Sequence, residues 1–247
     1  DGVTDDAAAI NRAIKNTFTV DMTTAFKERR TLYFPGGTYK VGSVISIYPH
    51  ATILGDGPTS TIFESNSASL NPVFQFVDRN GHTQANIGSG GFEIPNGIRM
   101  QGICFKTTHD QNVMRIDQTR DLHFDNCHWL GAYVNQTGQT NGYALIELFG
   151  TVANVTKRIH FTGCTFEGLE YAVESSDNIE DLVFSSCEFL KLYRAFNLGE
   201  QSDGSTVNKT IGPTGVVISS SRFDGIDAEA IKIFDNGGTP RGNIVAG

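Results

Sequence analysis

The sequence predicts an all-β fold: a single chain wound into a parallel β-helix, with a short α-helix closing its N-terminal end. Three observations carry the prediction. First, an eight-residue outline recurs five times, as IRMQGICF (98–105), LHFDNCHW (122–129), IHFTGCTF (159–166), LVFSSCEF (182–189) and VVISSSRF (216–223). Its final aromatics, Phe105, Trp129, Phe166, Phe189 and Phe223, lie 24, 37, 23 and 34 residues apart, a period of 23 or 24 with two insertions. Second, apolar residues alternate within each copy as in a strand with one buried face: Leu122 and Phe124, then Cys127 and Trp129 beyond a small polar bend. Third, a second alternating segment follows each copy: NVMRID (112–117), YALIELFG (143–150), YAVES (171–175), RAFNL (194–198) and EAIKIF (229–234). Short strands repeated on such a period wind into coils, and stacking in register sets equivalent side chains about 4.8 Å apart in ladders.

The elements follow in chain order. DGVTDDAAAINRAI begins a capping helix assigned to residues 1–20, with Thr4 as N-cap, Asp5 and Asp6 in the first turn, and Ile10, Ile14 and Phe18 along one face. An open solenoid end exposes apolar interior and unpaired backbone, and this helix is expected to plug it. TLYFPGGTYKVGSVISI (31–47) and ATILGDGPTSTIF (51–63) supply the first coils, which extend over 31–77. A polar, Gly-rich stretch, 78–97, separates them from the regular coils of 98–247, and one continuous solenoid is expected across it. The insertions at 131–142 and 199–213 are polar and Gly-rich, so they are read as projecting loops, where functional residues concentrate. The chain starts without Met and ends on PRGNIVAG, the opening of another repeat, so a fragment of a longer protein is expected.

Composition narrows the partners. Lys and Arg number 19 against 27 Asp and Glu, a net charge of -8, which disfavours nucleic acid and anionic lipid. No apolar run approaches the roughly 18 residues of a membrane span, so no membrane insertion is expected. Four cysteines are too few for a disulfide-stapled scaffold of this length. Cys127, Cys164 and Cys187 align in one inward column with Ile103 before them and Ser221 after, and a column that accepts Ile and Ser is filling space. A buried stack of reduced thiols is expected.

DGVTDDAAAINRAI, followed by LYFPGGTYKV and TILGDGPTSTIF, resembles the start of the pectate-lyase-like, right-handed β-helix superfamily, particularly its branch of bacteriophage tailspikes and tail-associated depolymerases. Ala7 and Asn11 stand where that branch usually has Thr and Gln. The resemblance covers about the first quarter of the chain. It specifies fold more than activity, since polysaccharide lyases, glycoside hydrolases and inactive virion proteins share it. It implies a tailspike or tail-fibre body in the virion, extracellular when acting, that forms a homotrimer. Such a body joins other tail proteins through a missing N-terminal region and binds host capsule or lipopolysaccharide. Any activity would be depolymerisation, by hydrolysis rather than elimination, because no lyase cluster of calcium-binding Asp with a basic catalytic residue stands out. The alternatives are a non-enzymatic receptor-binding or structural virion protein, and a cellular pectate-lyase-like or glycoside hydrolase enzyme.

Aligning the second strands puts Arg115, Glu147, Glu174, Asn197 and Lys232 in one outward column. Glu147 and Glu174 then sit on adjacent coils, roughly 5 Å apart at the backbone, near the carboxyl separation of a retaining glycosidase. Two like charges that close split their pKa values into one acid and one carboxylate, which makes them the candidate catalytic pair, with Arg115 as a substrate-binding neighbour. The competing reading is a solvated surface ladder. Tyr143, Tyr171 and Tyr193 are assigned to the corner before this strand on three successive coils, as a platform for sugar rings or a cover for the turn. His123, His160, His128 and Asp125 share a polar face, but a flat row suits tetrahedral zinc poorly. Asp224, Asp227 and Glu229 make a solvated acidic corner that departs from the calcium-loop pattern, so neither metal nor other cofactor is expected. The sequons at Asn135, Asn154 and Asn208 are read as turn-forming residues.

Overall fold

A computed structural model of the chain describes residues 2–19, 30–83, 86–91, 93–132, 142–151, 154–175, 178–199, 213–233 and 244–245. Every strand pairs with strands one coil away, in parallel, and three sheets result. The first contains Thr31–Phe34, Thr52–Gly55, Asn96–Gln101, Arg120–Asp125, Thr156–Thr162, Ile179–Ser185, Thr214–Ser219 and Ile244–Val245. The second contains Gly37–Lys40, Thr61–Ser65, Cys104–Thr107, His128–Leu130, Thr165–Glu167, Glu188–Leu192 and Arg222–Ile226. The third contains Ile45–Ile47, Phe74–Phe76, Met114–Asp117, Ala144–Phe149, Tyr171–Ser175, Arg194–Leu198 and Ile231–Ile233. One strand from each sheet makes a coil, and this is the right-handed parallel β-helix, the hand that parallel crossovers adopt almost without exception.

The ladders pass the 78–97 segment unbroken. Thr52–Gly55 pairs with Asn96–Gln101, Thr61–Ser65 with Cys104–Thr107, and Phe74–Phe76 with Met114–Asp117. The excursion itself folds around the fully buried Asp78, whose carboxylate accepts hydrogen bonds from the backbone N–H groups of Asn80, His82 and Gly88 and pairs with Nδ1 of His82 at 3.0 Å. Of the two insertions, residues 133–141 and 200–212 lie outside the described residues, as do Asn135 and Asn208. Asn154 is described, and its side-chain amide donates to Gln118 Oε1 at 2.9 Å.

In-register pairing turns the repeated outline into stacked columns. Phe105, Trp129, Phe166, Phe189 and Phe223 form a continuous inner pile with ring centroids 5.3, 4.9, 5.0 and 4.9 Å apart. Phe124, Phe161 and Phe184 form a second pile at 5.0 and 4.7 Å, and its rings meet the first edge to face. The strand spacing of about 4.8 Å is close to the distance at which aromatic rings stack, so one geometry serves backbone and side chains together. Between the outline's two strands, Gly102, Asn126, Gly163, Ser186 and Ser220 all adopt left-handed backbone, with φ of 67°, 47°, 59°, 55° and 50°. That conformation favours Gly and short polar residues, which explains the small polar bend.

Cys127, Cys164 and Cys187 occupy the inward column as expected, buried, and all four cysteines are free. Sγ of each of the three donates to a carbonyl of the preceding coil, Met100, Phe124 and Phe161, at 3.6, 3.5 and 3.5 Å. Burial pushes the Cys104 thiol up to about 12. Cys164 is raised chiefly by burial, and Cys187 by its hydrogen bond with Cys164 and then by burial.

The capping helix runs Ala7–Phe18, which corrects the expected start. Asp6, rather than Thr4, takes the N-cap position, and neither Asp5 nor Asp6 lies in the first turn. The reason is that the entering chain first pairs with the second sheet, where Asp5 bridges Lys40 in parallel. The Asp5 carboxylate accepts from Ala7 N at 3.0 Å and Gly42 N at 2.9 Å, and Asp6 Oδ2 accepts from Lys40 N at 3.2 Å. Ile10 and Ile14 are buried on the core and Phe18 packs against it. Asn11 donates to Val44 O at 2.8 Å and accepts from Ser46 N at 3.0 Å, satisfying backbone groups at the edge of the third sheet.

Phe166 is fully buried between two ring neighbours, so Phe166→Ala is expected to lower the unfolding free energy by about 3–5 kcal/mol in urea melts. The thiol column gives a second expectation. A colorimetric thiol reagent should react slowly with native protein and find four free thiols after unfolding without reductant; two or fewer would mean that a disulfide bridges the coils.

Candidate functional site

The outward column of the third sheet is assembled as its spacing predicts. Arg115 is in register with Glu147, Glu147 with Glu174, Glu174 with Asn197, and Asn197 with Lys232. Its setting differs from a solvated ladder, because Glu147, Glu174 and Asn197 keep only 9%, 5% and 2% of their surface exposed. Beside it on the same strands, the positions Ala144, Tyr171 and Arg194 are buried as well, while Val113, Leu145, Ala172 and Ala195 belong to the hydrophobic core. Nearly every residue of Ala144–Phe149, Tyr171–Ser175 and Arg194–Leu198 is therefore buried, whichever face it points from.

That burial sets the electrostatics. It pushes the Glu147 carboxyl up to about 7 against the lowering effect of Arg115, with Asp117 adding a smaller upward push. Asp117 is itself raised by burial, opposed by Arg115 and by a hydrogen bond from Gln118. Glu174 accepts a hydrogen bond from Asn197 Nδ2 at 3.1 Å. The Arg115 guanidinium lies 4.0 Å over the Phe149 ring. Its Nε is 3.7 Å from Asp117 Oδ2, and that buried N–H makes no hydrogen bond.

Arg194, which sequence reasoning passed over, is almost fully buried on the same face. It donates from Nη1 to Asn197 Oδ1 at 3.3 Å and from Nη2 to Glu229 Oε2 at 2.6 Å. Its guanidinium lies 5.4 Å from the Tyr193 ring centre and 5.9 Å from that of Tyr171. Glu229 is exposed, as its reading in a solvated acidic corner expects, and is also an ion-pair partner whose carboxyl is held below its usual range chiefly by Arg194.

The three tyrosines do not share one column. Tyr171 is in register with Ala144 and Arg194, one position beyond Tyr143 and Tyr193. Glu170 stands where the middle ring was expected, and its carboxylate accepts from Tyr143 N at 2.9 Å. Tyr171 is fully buried, its hydroxyl without a partner, so it presents no ring face to a groove. Tyr143 and Tyr193 remain half-buried, and Tyr193 meets Tyr171 edge to face at 6.4 Å. The signal was available: Tyr171 and Arg194 each lie five residues past an inner-pile phenylalanine, Phe166 and Phe189.

Elsewhere, His123 and His160 lie with ring centres 4.9 Å apart and planes tilted by 38° on the first sheet, and burial and then His123 hold His160 below its usual range. Among the described residues no group of three or more His, Cys, Asp or Glu is gathered to hold a metal ion. An open pocket of about 580 Å³ lies beside Gly37–Lys40, but its Glu64 already accepts from Lys40 at 2.5 Å and Lys106 at 3.0 Å.

A parallel β-helix with charged groups on a sheet's outer face is the architecture of the pectate-lyase-like class. The chain belongs to the family described as rhamnogalacturonase A/epimerase, pectate lyase-like, which matches residues 1–219. Among solved structures it is similar to ORF18 of Geobacillus virus E2 (TM-score 0.52, 19% identity, covering 95% of this chain and 48% of that one). It is also similar to tailspike protein 3 of bacteriophage CBA120 (0.52, 13%, 93% and 40%) and to pectin methylesterase PemA of Erwinia chrysanthemi (0.53, 12%, 92% and 64%). At these identities the likeness is one of fold, and the chain spans about half the length of the Geobacillus virus protein. No curated protein matches it by sequence.

Burial of Glu147 makes the folded protein take up a proton that the unfolded chain releases. Stability should therefore fall as pH rises from about 4.5 to about 7, the interval between the ordinary and raised values. Glu147→Gln is expected to flatten that slope and to raise the urea midpoint at pH 8, read against pH 5 in parallel melts.

Proposed function

We propose that this chain is the body of a phage tail protein that binds polysaccharide at the host cell surface and cleaves it by hydrolysis on the outer face of the third sheet. The observation that carries the reading is a carboxyl raised to about 7, Glu147, in register with a second carboxyl, Glu174, on the next coil. A group poised near neutrality can hand its proton to a glycosidic oxygen, and an ionised neighbour about one strand spacing away can attack or stabilise the anomeric carbon. Glu147 is the general acid and Glu174 the carboxylate. Arg115, Tyr143 and Tyr193 line the approach to the pair as substrate-binding groups. Membership of a rhamnogalacturonase-type family supports a polysaccharide ligand, and a fold shared with tailspike protein 3 of bacteriophage CBA120 supports a place in the virion tail; the working form in this reading is a homotrimer that acts outside the cell.

The low exposure of both carboxyls favours a second reading, a spike that binds polysaccharide without cutting it. Incubating the protein with capsule or lipopolysaccharide of its host separates the two. Hydrolysis gives new reducing ends without unsaturated uronates, and Glu147→Gln should lower the rate at least about 100-fold while binding persists. Binding with no new ends from the trimer would establish the adhesin, and absence of binding would overturn the polysaccharide reading.

A further inference from the structure

A directed chain of hydrogen bonds ends on Glu174. Arg194 donates from Nη2 to Glu229 Oε2 at 2.6 Å and from Nη1 to Asn197 Oδ1 at 3.3 Å, and Asn197 Nδ2 donates to Glu174 Oε1 at 3.1 Å. The chain crosses three coils, and Arg194, Asn197 and Glu174 are all buried. A guanidinium can only donate, so the Asn197 amide must turn its oxygen to Arg194 and is left presenting N–H groups to Glu174. An N–H donor favours the ionised form of the carboxyl it faces, because a carboxylate oxygen is the stronger acceptor.

The two carboxyls of the candidate pair therefore have unlike neighbours. On the coil before Glu147 stands Arg115, whose guanidinium lies over the Phe149 ring with Nε 3.7 Å from Asp117 Oδ2, too far for a hydrogen bond. On the coil after Glu174 stands Asn197, hydrogen-bonded to it and anchored from behind. The anchor is fixed in turn, since the Arg194 guanidinium lies 5.4 Å from the Tyr193 ring centre and pairs with Glu229. Among the described residues, the other charged or titratable groups around Glu174 are Glu147 in register on the coil before it, Tyr171 on its own strand and Lys232 further along the column. We infer that Asn197, held by Arg194 and Glu229, is the positioning residue that aims Glu174 and keeps it ionised, and so decides which member of the pair is the carboxylate and which the acid. The inference rests on the hydrolysis reading above and deepens it, because the direction of the hydrogen bonds assigns the roles independently of the titration of Glu147.

The test is a carboxyl-carbon NMR titration of the whole chain, with the Glu174 resonance assigned by its loss in Glu174→Gln, run beside the pH profile of kcat/KM on host capsule or lipopolysaccharide. Asn197→Leu removes the donor and should raise the Glu174 midpoint by about 1–2 pH units, the worth of one hydrogen bond to a charged group. The acidic limb of the activity profile should move with it, and kcat should fall about 10-fold or more with KM held within about twofold, while the alkaline limb set by Glu147 stays in place. Asn197→Gln keeps a donor amide and should restore most of the wild-type midpoint. Glu229→Gln loosens Arg194 from an exposed position and should shift the midpoint the same way by a smaller amount, so the outcome is decided even if melting curves show that Asn197→Leu does not fold. A Glu174 midpoint unmoved in every folded variant, or activity lost with an unmoved pH profile, overturns the inference. Wild-type protein that gives no new reducing ends overturns the hydrolysis reading alone, because the NMR titration still reads whether Asn197 holds Glu174 ionised.

Discussion

Everything in this molecule depends on one constraint, the parallel pairing of each strand with its counterpart one coil away, at about 4.8 Å and in register. Because the offset is the same for every residue of a strand, a side chain finds its own positional equivalent above and below it. Aromatic positions become the Phe105 to Phe223 pile, thiol positions become a row of sulfurs facing carbonyls, and bend positions become a column of left-handed residues. The interior is then a set of one-dimensional stacks. Its density comes from repetition more than from individual fitting, which suits a 23-residue period with freedom at the corners.

The same constraint shapes the candidate site. A column is chemically useful when the repeat relaxes at one position and unlike residues fall into line, as Arg115, Glu147, Glu174, Asn197 and Lys232 do. What gives this line its electrostatic character is burial, which it shares with the adjoining positions Ala144, Tyr171 and Arg194. Glu147, Glu174 and Asn197 are thereby withdrawn from water although they point away from the core. A carboxyl poised near neutrality is thus a by-product of how the third sheet excludes solvent.

Much of this was legible in the residues because a repeat reports its own geometry. The inner column of Ile103, Cys127, Cys164, Cys187 and Ser221 and the outward column through Glu147 could be aligned by counting between aromatics. Counting failed at the corners, where Tyr171 resembles Tyr143 and Tyr193 in type but sits one position further along. Burial of the third sheet's outer face was not legible, since alternation says which residues point outward and nothing about what covers them. Glu229 is solvated as read, but its ion pair was missed for a related reason: Arg194 is distant in the linear pattern and meets it only because their coils are adjacent. At the helix, Thr4 looked like a cap because local preference was the only guide, whereas pairing of Asp5 with Lys40 governs where the helix starts.

The amide of Asn11 has a consequence of its own. By donating to Val44 O and accepting from Ser46 N, a single side chain imitates a peptide unit and fills the places that another strand would need. At that rim of the third sheet the coil is chemically terminated, so neither a foreign strand nor a second copy can add to it by templating. The solenoid therefore has a polarity for growth, and coils duplicated by design would have to be spliced in downstream of the helix rather than laid against its capped face.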